Sequence, residues 1–475
     1  MATQQEWMLR ISSIVGEKTL FKNASYRRFW LSEQLASTAV SALIYTMFLE
    51  IERSTNSAFL GSLFAAAYIG PAAALVTVSG AITDHLPKRE VMFAAYMTWA
   101  VLAVGFAITS GHLWAIYVIA VLFAIVSQIK GAASSSARPL LVPHHKLDKA
   151  NALGQLGGVI SQGIGVLILP FLFLRTLGAS ALAAACVPLF LMAAIEISRI
   201  KKIGGKVDLP RRVLTESRTH FMDAWHYLES DRVSYLSMWF YVLMSMVSYV
   251  VITLVPRYAS AVLGLPSELG VFIVVPAVVG VWLALRFDAI VIRRFSALPA
   301  VVMAFAGLIT GVLLLGFVSW IAMGVAKLGA PIGADALEII VTMALAVLIG
   351  FSYMFLNVAD NAIINARIPK EMQGRVFSGQ NVFSNIASVP PILLAGVGAD
   401  VLGVAPVLVI TAAVCGGVGI YILAQHGMRQ VILSLEQRGQ APTGMELSDR
   451  PQQRAPTPQQ QVGPHDEPHG GHEHA

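Results

Sequence analysis

The sequence predicts an all-α membrane protein, with twelve transmembrane helices in two six-helix halves about a basic central loop. Three observations predict it: an apolar composition, a succession of membrane-length apolar runs, and the placement of the basic residues.

Hydrophobic residues make up 56% of the 475 and charged residues only 13%, with a mean hydropathy of +0.68. Soluble domains carry roughly 25% charged residues. A soluble chain of this size would lack the polar surface to cover its core, and a bilayer removes that requirement. The 39 glycines and 22 prolines agree, since both are frequent in membrane helices. A net charge of +6 could point to nucleic acid. Basic residues between spans instead fix topology, so no nucleic-acid partner is expected. Cys186 and Cys415 each lie inside an apolar run. They offer neither a disulfide framework nor metal-ligand spacing, and read as buried thiols.

A span needs roughly 20 mostly apolar residues. Twelve stretches qualify: 29–50, 58–83, 90–110, 113–138, 151–174, 178–199, 233–256, 268–287, 296–318, 337–363, 376–399 and 403–425. Ahead of them, residues 1–28 hold Arg10, Lys18, Lys22, Arg27 and Arg28 without the apolar stretch of a cleavable signal. Between the sixth and seventh runs, 200–232 carries Lys201, Lys202, Lys206, Arg211 and Arg212, then an expected amphipathic helix around Phe221, Trp225 and Leu228. The chain thus divides into a cytoplasmic segment 1–28, a half 29–199, a central loop 200–232, a half 233–425 and a tail 426–475. From 436 the tail is rich in Gln, Pro and Gly, cannot bury a core and is expected to be disordered. Its His465, His469, His472 and His474 read as a solvated end, with metal capture as the sharper alternative.

Charge tests this map. With the N-terminus in the cytoplasm, twenty-eight of the 33 basic residues fall on the inside. The outside loops hold four: Arg53, Arg175, Arg257 and Lys327. That is a strong positive-inside bias, and one missed helix would invert every later loop. Both termini are expected in the cytoplasm of a cell membrane that the chain crosses repeatedly.

A weak internal repeat accompanies the two halves. Ala137-Arg138 leads to Val142-Pro143 before the fifth run, and Ala366-Arg367 leads to Ile368-Pro369 before the eleventh. Parallel repeats are a mark of transporters; chance likeness of two amphipathic loops is the alternative.

The clearest motif joins the second and third runs: Gly80, Asp84, Lys88 and Arg89. The glycine allows close helix approach. The carboxylate can pair with basic groups or a helix N-terminus across the two halves, forming a conformational latch. The plain alternative is a tight turn with topogenic charges. This loop resembles the signature between helices two and three of the major facilitator superfamily, although His85 and Pro87 depart from it. Asn23 with Tyr26, Arg27 and Trp30 resembles the entry to helix one in the drug-efflux branch that includes macrolide and enterobactin exporters. Leu141-Val142-Pro143 with Ala150-Asn151, Ile368-Pro369 with Gly374-Arg375, and Asp400 with Gly403 are similar to later signatures of that branch. In the second half only Arg286, Asp288, Arg293 and Arg294 remain of the helix two–three pattern.

The resemblance implies a central cavity lined by helices one, four, seven and ten. A charge at mid-bilayer is costly and usually faces protein or water. Glu33, Lys130 and Asp360 lie on the first, fourth and tenth runs, each about 6–12 Å from the cytoplasmic end at 1.5 Å per residue. They are expected to form one cluster. A lysine between two carboxylates favours their charged forms and burial the neutral ones, a balance that poises a proton site; a fixed ion pair is the alternative. On the seventh run, Met238, Tyr241, Met244 and Tyr249 are candidates for an adaptable substrate pocket, or else serve helix packing.

No glycine-rich phosphate loop ending in Lys-Ser or Lys-Thr occurs, so no nucleotide cofactor is expected and the work would come from an ion gradient. No run contains a histidine, which disfavours an intramembrane enzyme. The expected function is secondary transport: proton-coupled efflux of a small lipophilic or amphipathic compound, with protons, lipid and a small-molecule substrate as partners. A non-transporting receptor, or a siderophore or metabolite exporter, is the alternative.

Overall fold

The first α-helix among the described residues begins where Asn23 supplies a cap. Its side chain accepts from the amides of Ser25 (3.0 Å) and Tyr26 (3.4 Å), two donors the helix cannot satisfy itself. A computed structural model describes residues 20–75, 86–174, 177–201, 231–266, 270–295, 297–327 and 333–427. Among these, helices α1–α6 are Ala24–Thr55, Ala58–Ala74, Lys88–Thr109, Leu113–Leu141, Leu147–Gly163 and Gly178–Ser198. Helices α7–α12 are Arg232–Ala261, Val271–Phe295, Ala297–Gly316, Ala334–Arg367, Lys370–Leu402 and Val404–Ile422. Among the described residues, ten helices are long and apolar enough to cross a membrane. The shorter apolar segments Ala58–Pro71 and Phe272–Arg286 occupy the places of the second and eighth predicted spans.

Two features depart from the predicted map. The expected outside loop 319–336 contains a helix, Val318–Lys327. Ten residues rise only about 15 Å, too few to cross; this helix buries Val318 and Ala322 and packs on α10. Helix α5 widens into a π turn at Ile164–Ile168 before continuing as Leu169–Phe173. Pro170 has no N–H to return to Val166, and the π turn lies over that gap.

The repeat at the ends of α4 and α10 has a shared backbone cause. Val142 (φ −129°, ψ 137°) and Ile368 (φ −98°, ψ 131°) are both extended. A following proline disfavours helical geometry at the residue before it, so each helix stops there.

Packing divides the molecule. One hydrophobic cluster draws its buried residues from 20–200, including Trp99 stacked on Phe123 at 6.1 Å. A second draws from 236–415 together with Ala58. Outside both, large apolar side chains stand exposed: Ile108, Trp114, Trp320, Leu394 and Val401. Such a surface suits lipid tails and not water.

The expected latch residues Gly80 and Asp84, the loop 202–230 with its expected amphipathic helix, and the tail from 428 lie outside the described residues.

Candidate functional site

Glu33 projects from α1 toward α4. It is salt-bridged to Lys130, accepts from Ser134 Oγ at 2.8 Å and lies 3.5 Å from Arg138 Nη2. Residues 130, 134 and 138 recur every four positions, so they share one face of α4. Arg138 also donates to Asn151 Oδ1 on α5 at 2.9 Å. One carboxylate thus gathers two cations and ties three helices. Nearby, Trp30 Nε1 donates to the Leu153 carbonyl (3.0 Å), Tyr26 Oη to that of Ala150 (3.2 Å), and Ser161 Oγ to Gln34 Oε1 (2.9 Å). Glycine at 157 permits this seam, because a Cβ there would sit 2.7 Å from Gln34.

Asp360 of α10 is buried elsewhere. Its side chain is 1% exposed. Ser237 of α7 donates to Oδ1, and Gln380 Nε2 of α11 donates to Oδ2 at 2.8 Å. Both partners are uncharged. The expected single cluster of Glu33, Lys130 and Asp360 therefore resolves into two sites: Lys130 turns to α1, and Asp360 is held between α7 and α11. Position along the chain predicted a similar depth for the three residues, but their helix faces send them to different neighbours.

Above Asp360 the same helices carry a polar ladder. Tyr241 Oη donates to Asn381 Oδ1 at 3.5 Å, and Tyr249 Oη to Asn385 Oδ1 at 3.0 Å. Helix α7 also packs against α10 and, across the halves, against α2. Met244 is 1% exposed and its sulfur accepts from Asn357 Nδ2 at 3.6 Å. Of the pocket candidates, Met238 and Met244 are both placed in packing: Met238 is buried with Ile364, Ile368 and Val376, and Met244 lies in the second hydrophobic cluster.

Of the expected latch, Lys88 and Arg89 open α3. Lys88 is largely buried, and Arg89 Nη1 donates to the Ile200 carbonyl at 3.1 Å.

Sequence reasoning missed Ser134, Ser237, Gln380, Asn381, Asn385 and Asn357. A usable signal existed on α11. Residues 380, 384 and 388, and again 381 and 385, are polar at a spacing of four inside an apolar run. Such a stripe faces protein or a cavity more readily than lipid.

The chain from 29 to 391 matches the family model described as Major Facilitator Superfamily. The chain belongs to the Major Facilitator Superfamily. Members of that superfamily are transporters, not enzymes, and this one is a multi-pass membrane protein of general transport function. Solved structures agree in fold. The nucleoside transporter NupG has 11% identity, TM-score 0.62, and covers 84% of this chain and 98% of its own. The D-xylose-proton symporter has 14% identity, TM-score 0.60, and covers 82% and 96%. A bacterial homolog of human lysosomal Spinster, inward-facing and occupied, has 13% identity, TM-score 0.62, and covers 89% and 98%. No curated protein sequence matches.

Proposed function

We propose that this superfamily member is a proton-coupled secondary transporter of the cell membrane. It exports a small amphipathic compound by alternating access, with both termini cytoplasmic. Asp360 carries the proton, and Glu33, Lys130 and Arg138 form a fixed network in the other half.

The observation that supports this is the setting of Asp360: a buried carboxyl with only uncharged partners, bridging three helices. Both partners donate, so the carboxylate form is satisfied. A proton on Oδ2 would meet the Gln380 N–H, and that carboxamide must turn to offer its carbonyl. A proton on Oδ1 can be donated to Ser237 Oγ, whose own hydrogen then needs a new acceptor. Either event changes the contacts among α7, α10 and α11. Those helices also carry Tyr241, Tyr249, Asn357, Asn381 and Asn385. Protonation and substrate contact are therefore linked through shared elements, which is what coupling requires.

Phenol faces suit an apolar body, and carboxamides and hydroxyls suit a polar edge. An amphipathic compound fits both. Export, and the likeness to drug-efflux proteins, rest on the loop signatures at 23–30, 141–153 and 368–377.

The test is transport by purified protein in proteoliposomes, after a substrate panel in an efflux-deficient strain with and without a protonophore. Asp360→Asn is expected to lose accumulation driven by a pH gradient while keeping energy-free substrate exchange. Normal pumping by this variant against a gradient would remove Asp360 from the role and leave Glu33. Inward accumulation of a nucleoside or sugar would reverse the proposed direction. Absence of counterflow for every compound that binds would support a receptor.

A further inference from the structure

At the end of the bundle away from Lys88, Arg138 and Arg367, α1 stops at Thr55 and Asn56 turns the chain with φ 50°. Ser57 then caps α2, accepting from the Leu60 amide at 3.3 Å. The next free amides of α2 are satisfied from the other half. Asp400, in the last turn of α11, accepts from Ala58 N at 2.7 Å through Oδ1. Its Oδ2 accepts from Phe59 N at 3.0 Å and from Ser57 Oγ at 2.6 Å. A carboxylate at a helix N-terminus is favoured by both the free donors and the helix dipole.

Three further contacts join the halves at this end. Arg257, near the end of α7, donates to Asn56 Oδ1 and lies 3.9 Å from Glu52 Oε1. Phe171 of the α5 segment meets Phe272 of α8 edge-on at 6.0 Å. One turn inward from Asp400, α11 runs directly against α2. A Cβ on Gly396 would collide with Ser62 Oγ and sit 3.0 Å from the Ala58 carbonyl.

We infer that Asp400 is the positioning residue of a seal between the two halves at this end, a carboxylate cap donated by α11 to α2 that must be released before the cavity can open there. The inference does not depend on the proposed substrate or on Asp360. It needs only that this end opens and closes, as alternating access by a secondary transporter demands. The cap is suited to the task. Its three bonds are short and directional, so they hold one geometry of the halves. The carboxylate itself is exposed, so water can replace its partners when the halves part. The Gly396 contact keeps the two helices close enough for the cap to form.

Hydrogen bonds to a charged group are stronger than neutral ones. Asp400→Asn keeps the shape but turns an N–H₂ toward donors, and should shift the closed-to-open ratio at this end by about tenfold or more. The measurement is the distance distribution between spin labels at Gly111→Cys and Val401→Cys, in full-length protein in lipid nanodiscs with Cys186 and Cys415 replaced by serine. The parent is expected to show a short-distance population. Asp400→Asn should gain a longer one, and Asp400→Glu should largely restore the parent distribution. Gly396→Leu keeps the Asp400 carboxylate and wedges the same seam at Ser62 and Ala58, so it should open the same end; it serves as the readout if Asp400→Asn does not fold. An unchanged distribution in folded Asp400→Asn would overturn the inference. So would opening by Arg257→Gln alone, because the ion pair and not the cap would then be the seal. If Asp400→Asn does not fold and Gly396→Leu stays closed, the inference fails as well.

Discussion

Replacing Glu33 by glutamine separates a structural network from a proton carrier. Glu33 and Lys130 side chains are 13% and 16% exposed, and Arg138 lies 3.5 Å from the same carboxylate. Glu33→Gln leaves two cations converging on a neutral group. Breaking a buried pair in this way costs about 3–5 kcal/mol. At about 2–4 °C per kcal/mol for a unit of this size, the melting temperature should fall by roughly 10 °C. Lys130→Met is milder, because Arg138 and Ser134 still serve the carboxylate; one lost charged bond costs about 2 kcal/mol. In the double variant Arg138 retains Asn151, so it should be more stable than Glu33→Gln alone. The assay is thermal unfolding in detergent followed by fluorescence-detected size exclusion. Transport per folded molecule is measured in proteoliposomes. Stability should rank parent, then Lys130→Met and the double variant, then Glu33→Gln, with coupled transport retained in the folded fraction. A Glu33→Gln protein as stable as the parent but unable to couple transport to protons would refute the reasoning and make Glu33 a carrier.

Two further outcomes are expected. Cysteines at Gly111 and Lys327 should react with an impermeant thiol reagent in intact cells and one at Ser217 should not; the reverse pattern would invert the proposed orientation. Asp84→Asn should reach the membrane at nearly the parental level, since a surface pair contributes only about 0–1 kcal/mol, yet transport more slowly because it biases the two-state equilibrium; an unchanged rate would return the loop to a simple turn.

The membrane fold was legible because its causes are local and periodic. Apolar runs of span length are set by some twenty consecutive residues; the cap at Asn23 and the stops before Pro143 and Pro369 are just as local, although the sequence reading drew on those residues only as a repeat and a resemblance. The helix at Val318–Lys327 was not legible as a helix between spans: its apolar residues read as the end of one run and the start of a loop, and only packing on α10 gives it a place. Asp400 was visible as a match to a helix-eleven ending, but nothing near it in the chain says that its partners are Ser57, Ala58 and Phe59, over 340 residues away.

The division of the expected charge cluster shows where sequence reasoning about membrane sites stops. Hydropathy and the 1.5 Å rise fix how deep a residue lies along its helix. They say nothing about which way the helix is turned, and a turn of about 100° per residue moves a side chain from one neighbour to another. Glu33, Lys130 and Asp360 were expected at a similar depth, but they do not point in one direction. What would have fixed direction is the rest of each polar face. On α4, Ser134 and Arg138 continue the line of Lys130. That is a face with two cations, and it needs a carboxylate on an adjacent helix, which Glu33 supplies. On α11, Gln380, Ser384 and Ser388 form a face without charge, beside which a carboxylate can be buried and still be hydrogen-bonded. A charged residue is thus better assigned by the stripe it faces than by the charges at its level. By that criterion Glu33 belongs with the two cations of α4, and the proposed proton role falls to Asp360, whose partners are uncharged.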